Sequence, residues 1–181
     1  MEKNVALIAL FAALIAVLAL IPKITLGFGV PITAQSLGIM LAGAVLGSKR
    51  GALAVLLFLL LVAVGLPLLA GGRGGLGVFF GPTGGFLFSW PLAAWLTGFV
   101  VEKWRSVPLG ASVFVGAILG GIVLSYAMGI VGLSLALGKS LIESTSLMLV
   151  FIPGDMIKAL VVAALTVSLS RARPSSVLSR H

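Results

Sequence analysis

Residues 5–22 read VALIALFAALIAVLALIP, without one charged side chain. About 18 to 20 apolar residues at a rise of 1.5 Å each cross a hydrocarbon core. The stretch exceeds the apolar region of a signal peptide, and no small-residue cleavage site precedes Pro22 and Lys23, so it predicts a retained transmembrane helix. The rest of the 181-residue chain agrees: 60% is hydrophobic, 9% is charged, and the mean hydropathy is +1.29. A water-soluble surface needs roughly 25% charged residues, so the apolar surface of this chain must face lipid. The expected fold class is an all-α integral membrane protein, with residues 1–181 forming a single domain.

Other runs extend the pattern. Apolar segments at about 32–48 and 51–69 flank Lys49 and Arg50 and predict a tight helical hairpin. Further spans are expected at about 84–101, within 109–137, and at about 145–169, making six transmembrane helices. Between spans 3 and 4 the sequence becomes LLAGGRGGLGVFFGPTGGF, poor helix-forming composition that is apolar without being a span. Irregular backbone at membrane depth survives where protein or a water-filled cavity satisfies it, so this glycine-rich loop is expected to line something. No internal or inverted repeat is visible.

The basic residues orient the chain. With the N-terminus inside, the inner side carries Lys3, Lys49, Arg50, Lys103, Arg105, Arg171, Arg173 and Arg180, and the outer side only Lys23, Arg73 and Lys139. That asymmetry predicts a multi-pass protein of the cytoplasmic membrane with both termini cytoplasmic. The formal charge of +8 is then an orientation signal and a contact for anionic lipid heads; the bases form no cluster interleaved with aromatics, so no nucleic-acid partner is expected. The chain has no cysteine, and its one histidine is His181, which argues against a metal site and against a histidine-dependent triad.

Asp155 and Lys158, in FIPGDMIKALVVAALTVSLS, are the most informative residues. They interrupt a run otherwise uncharged from Ser144 to Ser170, and their i,i+3 spacing puts them on one helix face. A charge in mid-membrane costs at least about 2.5 kcal/mol, so such residues face the bundle interior and usually serve function; the competing reading is a structural ion pair. Pro153 and Gly154 suggest a break that presents Asp155 near a helix N-terminus in the outer half. The loop cation Arg73, Gln35 with Thr33 at the start of span 2, and Tyr126, the only tyrosine, complete the candidate substrate-binding set. Each also has a plainer reading, as a solvated loop charge, an interfacial anchor or a locally satisfied polar group. Trp90, Trp95 and Trp104 read as belt and packing residues. Gly116-x-x-x-Gly120 predicts close helix packing, and Ala9-x-x-x-Ala13 predicts either internal packing or a docking surface. Residues 72–77 match G-x-G-x-x-G, but they lie between membrane spans instead of between a strand and a helix, so no nucleotide site is expected.

VPITAQSLGIMLAG (30–43), GGRGGLGVFFGPTGGFL (71–87) and PGDMIKA (153–159) resemble the BioY family, the biotin-specific substrate-binding component of energy-coupling-factor (ECF) transporters. The likeness runs along nearly the whole chain, and GPTGG followed by D-x-x-K about seventy residues on is its most specific combination. The resemblance implies a six-helix S component, not an enzyme, that captures biotin from outside without a cofactor. It further implies association with a transmembrane coupling protein and a pair of ATPase subunits. The family's paired Asp and Lys fall on Asp155 and Lys158, its lid loop on about 67–84, and its docking face on Ala9 and Ala13. No G-x-x-x-x-G-K-[ST] occurs, so ATP hydrolysis would have to come from partners. The alternative reading is a stand-alone channel or a proton-coupled carrier of a small anion that uses Asp155 and Lys158 as a relay.

Overall fold

The computed structural model describes residues 2–180; Met1 and His181 lie outside the described residues. Six helical rods follow one another: α1 (Glu2–Leu20), α2 (Gln35–Leu46), α3 (Ser48–Ala63), α4 (Gly84–Lys103), α5 (Leu109–Leu137) and α6 (Leu141–Ala172). Four of them, α1, α4, α5 and α6, are long and apolar enough to cross a membrane, whereas α2 and α3 have 12 and 16 residues. Their order matches the sequence reading, but α2 and α3 are shorter than the apolar runs that suggested them. Hydropathy extends through residues 64–70, where Gly65 at φ 109° and Pro67 end the helix. It extends likewise through residues 30–34, which run non-helically into α2.

The α2–α3 hairpin turns on Gly47, whose φ of 86° suits a residue without a Cβ. Glu102, near the end of α4, accepts from the Ser48 N–H at 2.8 Å and from its hydroxyl at 2.7 Å, satisfying the first turn of α3. Beside this contact Gly98 of α4 lies so close that a Cβ would come within 2.7 Å of the Ser48 Cα. Helix α4 is central, packing on α2, α3 and α5; α1 covers α2 and α3, and α6 covers α2 and α5. Gly116 and Gly120 do sit at the α4–α5 contact, where the buried Thr97 hydroxyl donates to the Gly116 carbonyl at 3.1 Å.

Apolar residues such as Leu60, Leu135, Ile157 and Leu160 point outward all round the bundle, as a lipid-facing surface requires. At the end that carries Lys49, Lys103 and Arg171, the interior is densely filled: Ala44, Val101, Val113, Ala117, Ala159 and Val162 are all fully buried in one cluster. Residues 178–180 fold back beneath that cluster. The Ser179 hydroxyl donates to the Ala44 carbonyl, and the Arg180 guanidinium to the carbonyls of Arg105 and Val107. The other end is looser. There the α1–α2 connection pairs Ile24 with Ile32, the α3–α4 loop pairs Leu69 with Arg73, and a cavity opens between helices.

Candidate solute-binding cavity

The cavity and its open mouth together hold about 750 Å³ of empty space, solvent side included. Its walls are largely apolar, with Ile39, Leu87, Trp90 and Phe151 among them. Three structural irregularities bring polar groups to this wall. In α5, residues Ile118–Leu124 form a π-helical turn, a feature frequent at functional sites, and Ser125 and Tyr126 follow it directly. In α6, a 3₁₀ turn at Leu149–Phe151 precedes a fresh α-helical start with Pro153 in its first turn, which puts Asp155 near a positive helix end. In the loop after α3, the Leu69–Arg73 bridge aims Arg73 at the cavity.

Asp155 is 6% exposed and engages three neighbours. Its Oδ1 accepts from Lys158 Nζ at 2.8 Å and more weakly from the Ser36 hydroxyl at 3.4 Å, while Oδ2 accepts from the Tyr126 hydroxyl at 2.7 Å. Lys158 also donates to the Ser36 hydroxyl at 3.0 Å. The pair is thus embedded in a four-residue network drawn from α2, α5 and α6. A buried charge is tolerable when paired and hydrogen-bonded in this way. One ammonium N–H of Lys158 and one carboxylate lone pair of Asp155 remain beyond these contacts. The site therefore offers a donor and an acceptor side by side in an apolar chamber.

All six substrate-binding candidates, Thr33, Gln35, Arg73, Tyr126, Asp155 and Lys158, border this one cavity. Their surroundings differ. Gln35 is fully buried, its Nε2 donating to the carbonyls of Ile15 (3.2 Å) and Leu68 (3.1 Å) while its Oε1 accepts from the Ala70 N–H at 3.0 Å. Both amide hydrogens are therefore committed, and the group ties α1, α2 and the glycine-rich loop together. Arg73 is half-buried; desolvation lowers its pKa from the ordinary value, but a guanidinium stays cationic. Sequence reasoning missed Ser36, Ser125 and Phe86, and it read Trp90 as a belt and packing residue. Trp90 does pack on Phe58, with centroids 6.2 Å apart, and it also faces the cavity. Ala9 and Ala13 are exposed on the outside of α1, whereas Ala12 is turned into the core.

A bundle of helices with an apolar outer surface, around a cavity that holds a buried ion pair, defines an all-α integral membrane protein. The chain belongs to the BioY family, whose family model matches residues 2–175. It is 55% identical to the biotin transporter BioY of Rhodobacter capsulatus over 189 residues, covering 99% of this chain and 100% of that one. It is 46% identical to the probable biotin transporter BioY of Bacillus subtilis, covering 91% and 89% of the two chains. The fold superposes with a TM-score of 0.89 and 36% identity on the crystal structure of the S-component for biotin from an ECF-type ABC transporter, over 94% of this chain and 92% of that one.

Proposed function

We propose that this protein captures biotin in the cavity and serves as the S component of an ECF-type vitamin transporter. The relatives named as biotin transporters and the S-component neighbour support this reading over a stand-alone channel or proton-coupled carrier. The observation that carries it within the molecule is the Asp155–Lys158 pair, held by Ser36 and Tyr126 in an otherwise apolar chamber. Biotin has a fused ring whose ureido group presents two N–H donors and one carbonyl acceptor, and an apolar chain that ends in a carboxylate. Asp155 accepts from ureido N–H, Lys158 donates to the ureido carbonyl or pairs with the carboxylate, and Arg73 at the mouth is a second cation for that carboxylate. Tyr126 and Thr33 line the ring's path, and Gln35 contributes the remaining lone pair of its Oε1.

The chain lies in the cytoplasmic membrane with both termini inside, so that the cavity opens outward under the glycine-rich loop. It delivers its ligand with ATPase subunits and a transmembrane coupling protein, and the coupling protein docks on the exposed Ala9–Ala13 face of α1, where small residues permit close helix approach. Equilibrium binding of labelled biotin to the purified chain tests the site. Asp155→Asn or Lys158→Met strands the other buried charge at a cost of about 3–5 kcal/mol, which lowers affinity about a hundredfold or more. Lys139→Met, at an exposed turn, leaves it unchanged. Wild-type affinity in folded samples of both pocket variants would reject the site.

A further inference from the structure

The end of the bundle opposite the cavity carries a second recess, with about 960 Å³ of empty space including its open side. Lys49 and Arg50 enter it from the first turn of α3 and Lys103 from the last turn of α4; Arg105 also borders it, and Leu46 and Leu178 supply apolar wall. Among the described residues the one acidic side chain in the lining is Glu102, and each of its oxygens accepts a hydrogen bond from Ser48. Among the described residues, Lys49, Arg50 and Lys103 thus share a recess with one carboxylate, which is engaged at the first turn of α3.

A second observation on α4 points the same way. Trp95, Phe99 and Lys103 recur at i,i+4 spacing and so form one stripe along the helix. The Trp95 and Phe99 rings are stacked, with centroids 5.1 Å apart and planes at 17°, and Lys103 Nζ lies 5.9 Å from the Phe99 centroid. Both rings are exposed, 41% and 37%, on a helix that spans the membrane. The stripe thus runs from the hydrocarbon region directly into the cationic recess.

We propose that the recess binds the phosphate headgroup of an anionic phospholipid, with an acyl chain lying along Trp95 and Phe99. Guanidinium and ammonium groups bind phosphate oxygens by charge-assisted hydrogen bonds, and basic pockets between membrane helices select anionic headgroups. A soluble phosphate would satisfy the cations but gain nothing from the exposed rings, and an acidic protein segment would have to reach a stripe facing lipid. The site is independent of the biotin reading.

The intact chain in nanodiscs of phosphatidylcholine tests this, doped with phosphatidylglycerol or with further phosphatidylcholine whose acyl chains are brominated. Tryptophan quenching reads acyl contact, and Trp95→Phe identifies the share that comes from the stripe. Brominated phosphatidylglycerol should quench Trp95 at a mole fraction roughly tenfold lower than brominated phosphatidylcholine. Lys49→Gln combined with Lys103→Gln should erase that preference, and Lys103→Gln alone should reduce it; both lysines are exposed, so folding is not at stake. Arg171→Gln with Arg173→Gln, at the same end but outside the recess, should preserve it. Equal quenching by both lipids, or loss of the preference in the arginine control as well, would overturn the site. So would displacement by soluble glycerol phosphate, which marks a free-phosphate site. Unchanged lipid preference in the lysine variants with lost co-purification of coupling subunits would instead make the recess a protein-docking face.

Discussion

Replacing Gln35 with methionine removes an amide while nearly conserving side-chain volume, so the change reports on hydrogen bonds instead of packing. In the native protein that amide serves the Ala70 N–H and the carbonyls of Ile15 and Leu68. Ala70 is 2% exposed and Ile15 fully buried, so neither group finds water once the amide is gone. An unsatisfied buried polar group costs about 1–3 kcal/mol, which puts the two together at roughly 2–6 kcal/mol. The loop that starts after α3 is the element to release, because apart from the Leu69 side chain its remaining ties are few: the Leu69–Arg73 bridge within the loop and the Gly75 N–H to the Val62 carbonyl at the end of α3. Release relieves the penalty at Ala70 by letting its N–H reach solvent. With about 3 kcal/mol taken from the closed loop, the open population rises on the order of a hundredfold. Hydrogen–deuterium exchange in nanodiscs reads this directly: peptides covering 68–72 should exchange about a hundredfold faster, while those covering 93–101 in α4 should not change. Native protection of the Ala70 amide in a folded Gln35→Met sample would refute the assignment of Gln35 as the loop's anchor.

Two further outcomes are expected. In the cysteine-free chain, a cysteine at the exposed position Ser140 should be labelled by an impermeant maleimide from outside and one at Ser106 only from inside, and the opposite pattern would invert the orientation. Ala13→Trp, on the exposed face of α1, should abolish co-purification with coupling and ATPase subunits while biotin affinity stays within about twofold, because the added bulk blocks close helix approach outside the cavity. Joint loss of binding and assembly would make that face internal packing.

The six-helix order was readable because uncharged runs and glycine-rich breaks are properties of composition. Helix ends were not: residues 64–70 are as apolar as α3 itself, and only the positive φ of Gly65 and the ring of Pro67 separate them from it. Asp155 and Lys158 stood out because charge is rare in a span. Ser36 did not, since a serine at a helix start is commonplace, and its place between Lys158 and Asp155 comes from tertiary packing of α2 on α6. Trp90 carried the same ambiguity as any membrane tryptophan. The π turn at Ile118–Leu124, which precedes Ser125 and Tyr126, leaves no mark in a sequence whose hydrophobicity is uniform around the helix. The fold-back of Ser179 and Arg180 was equally hidden, because it depends on carbonyls of Ala44, Arg105 and Val107 that belong to other helices and turns.

The dense packing beneath the cavity also bears on the cell's energy supply. Moving one charge across a membrane held at 100 mV is worth about 2.3 kcal/mol, so any protein with a wet path through it drains the gradient continuously. Here Ala44, Val101, Val113, Ala117, Ala159 and Val162 fill the half of the bundle below Asp155 and Lys158 with apolar groups in mutual contact. Ions that enter the cavity meet a dry floor. The protein can therefore wait in the bilayer in large numbers, occupied or idle, without short-circuiting the membrane that houses it.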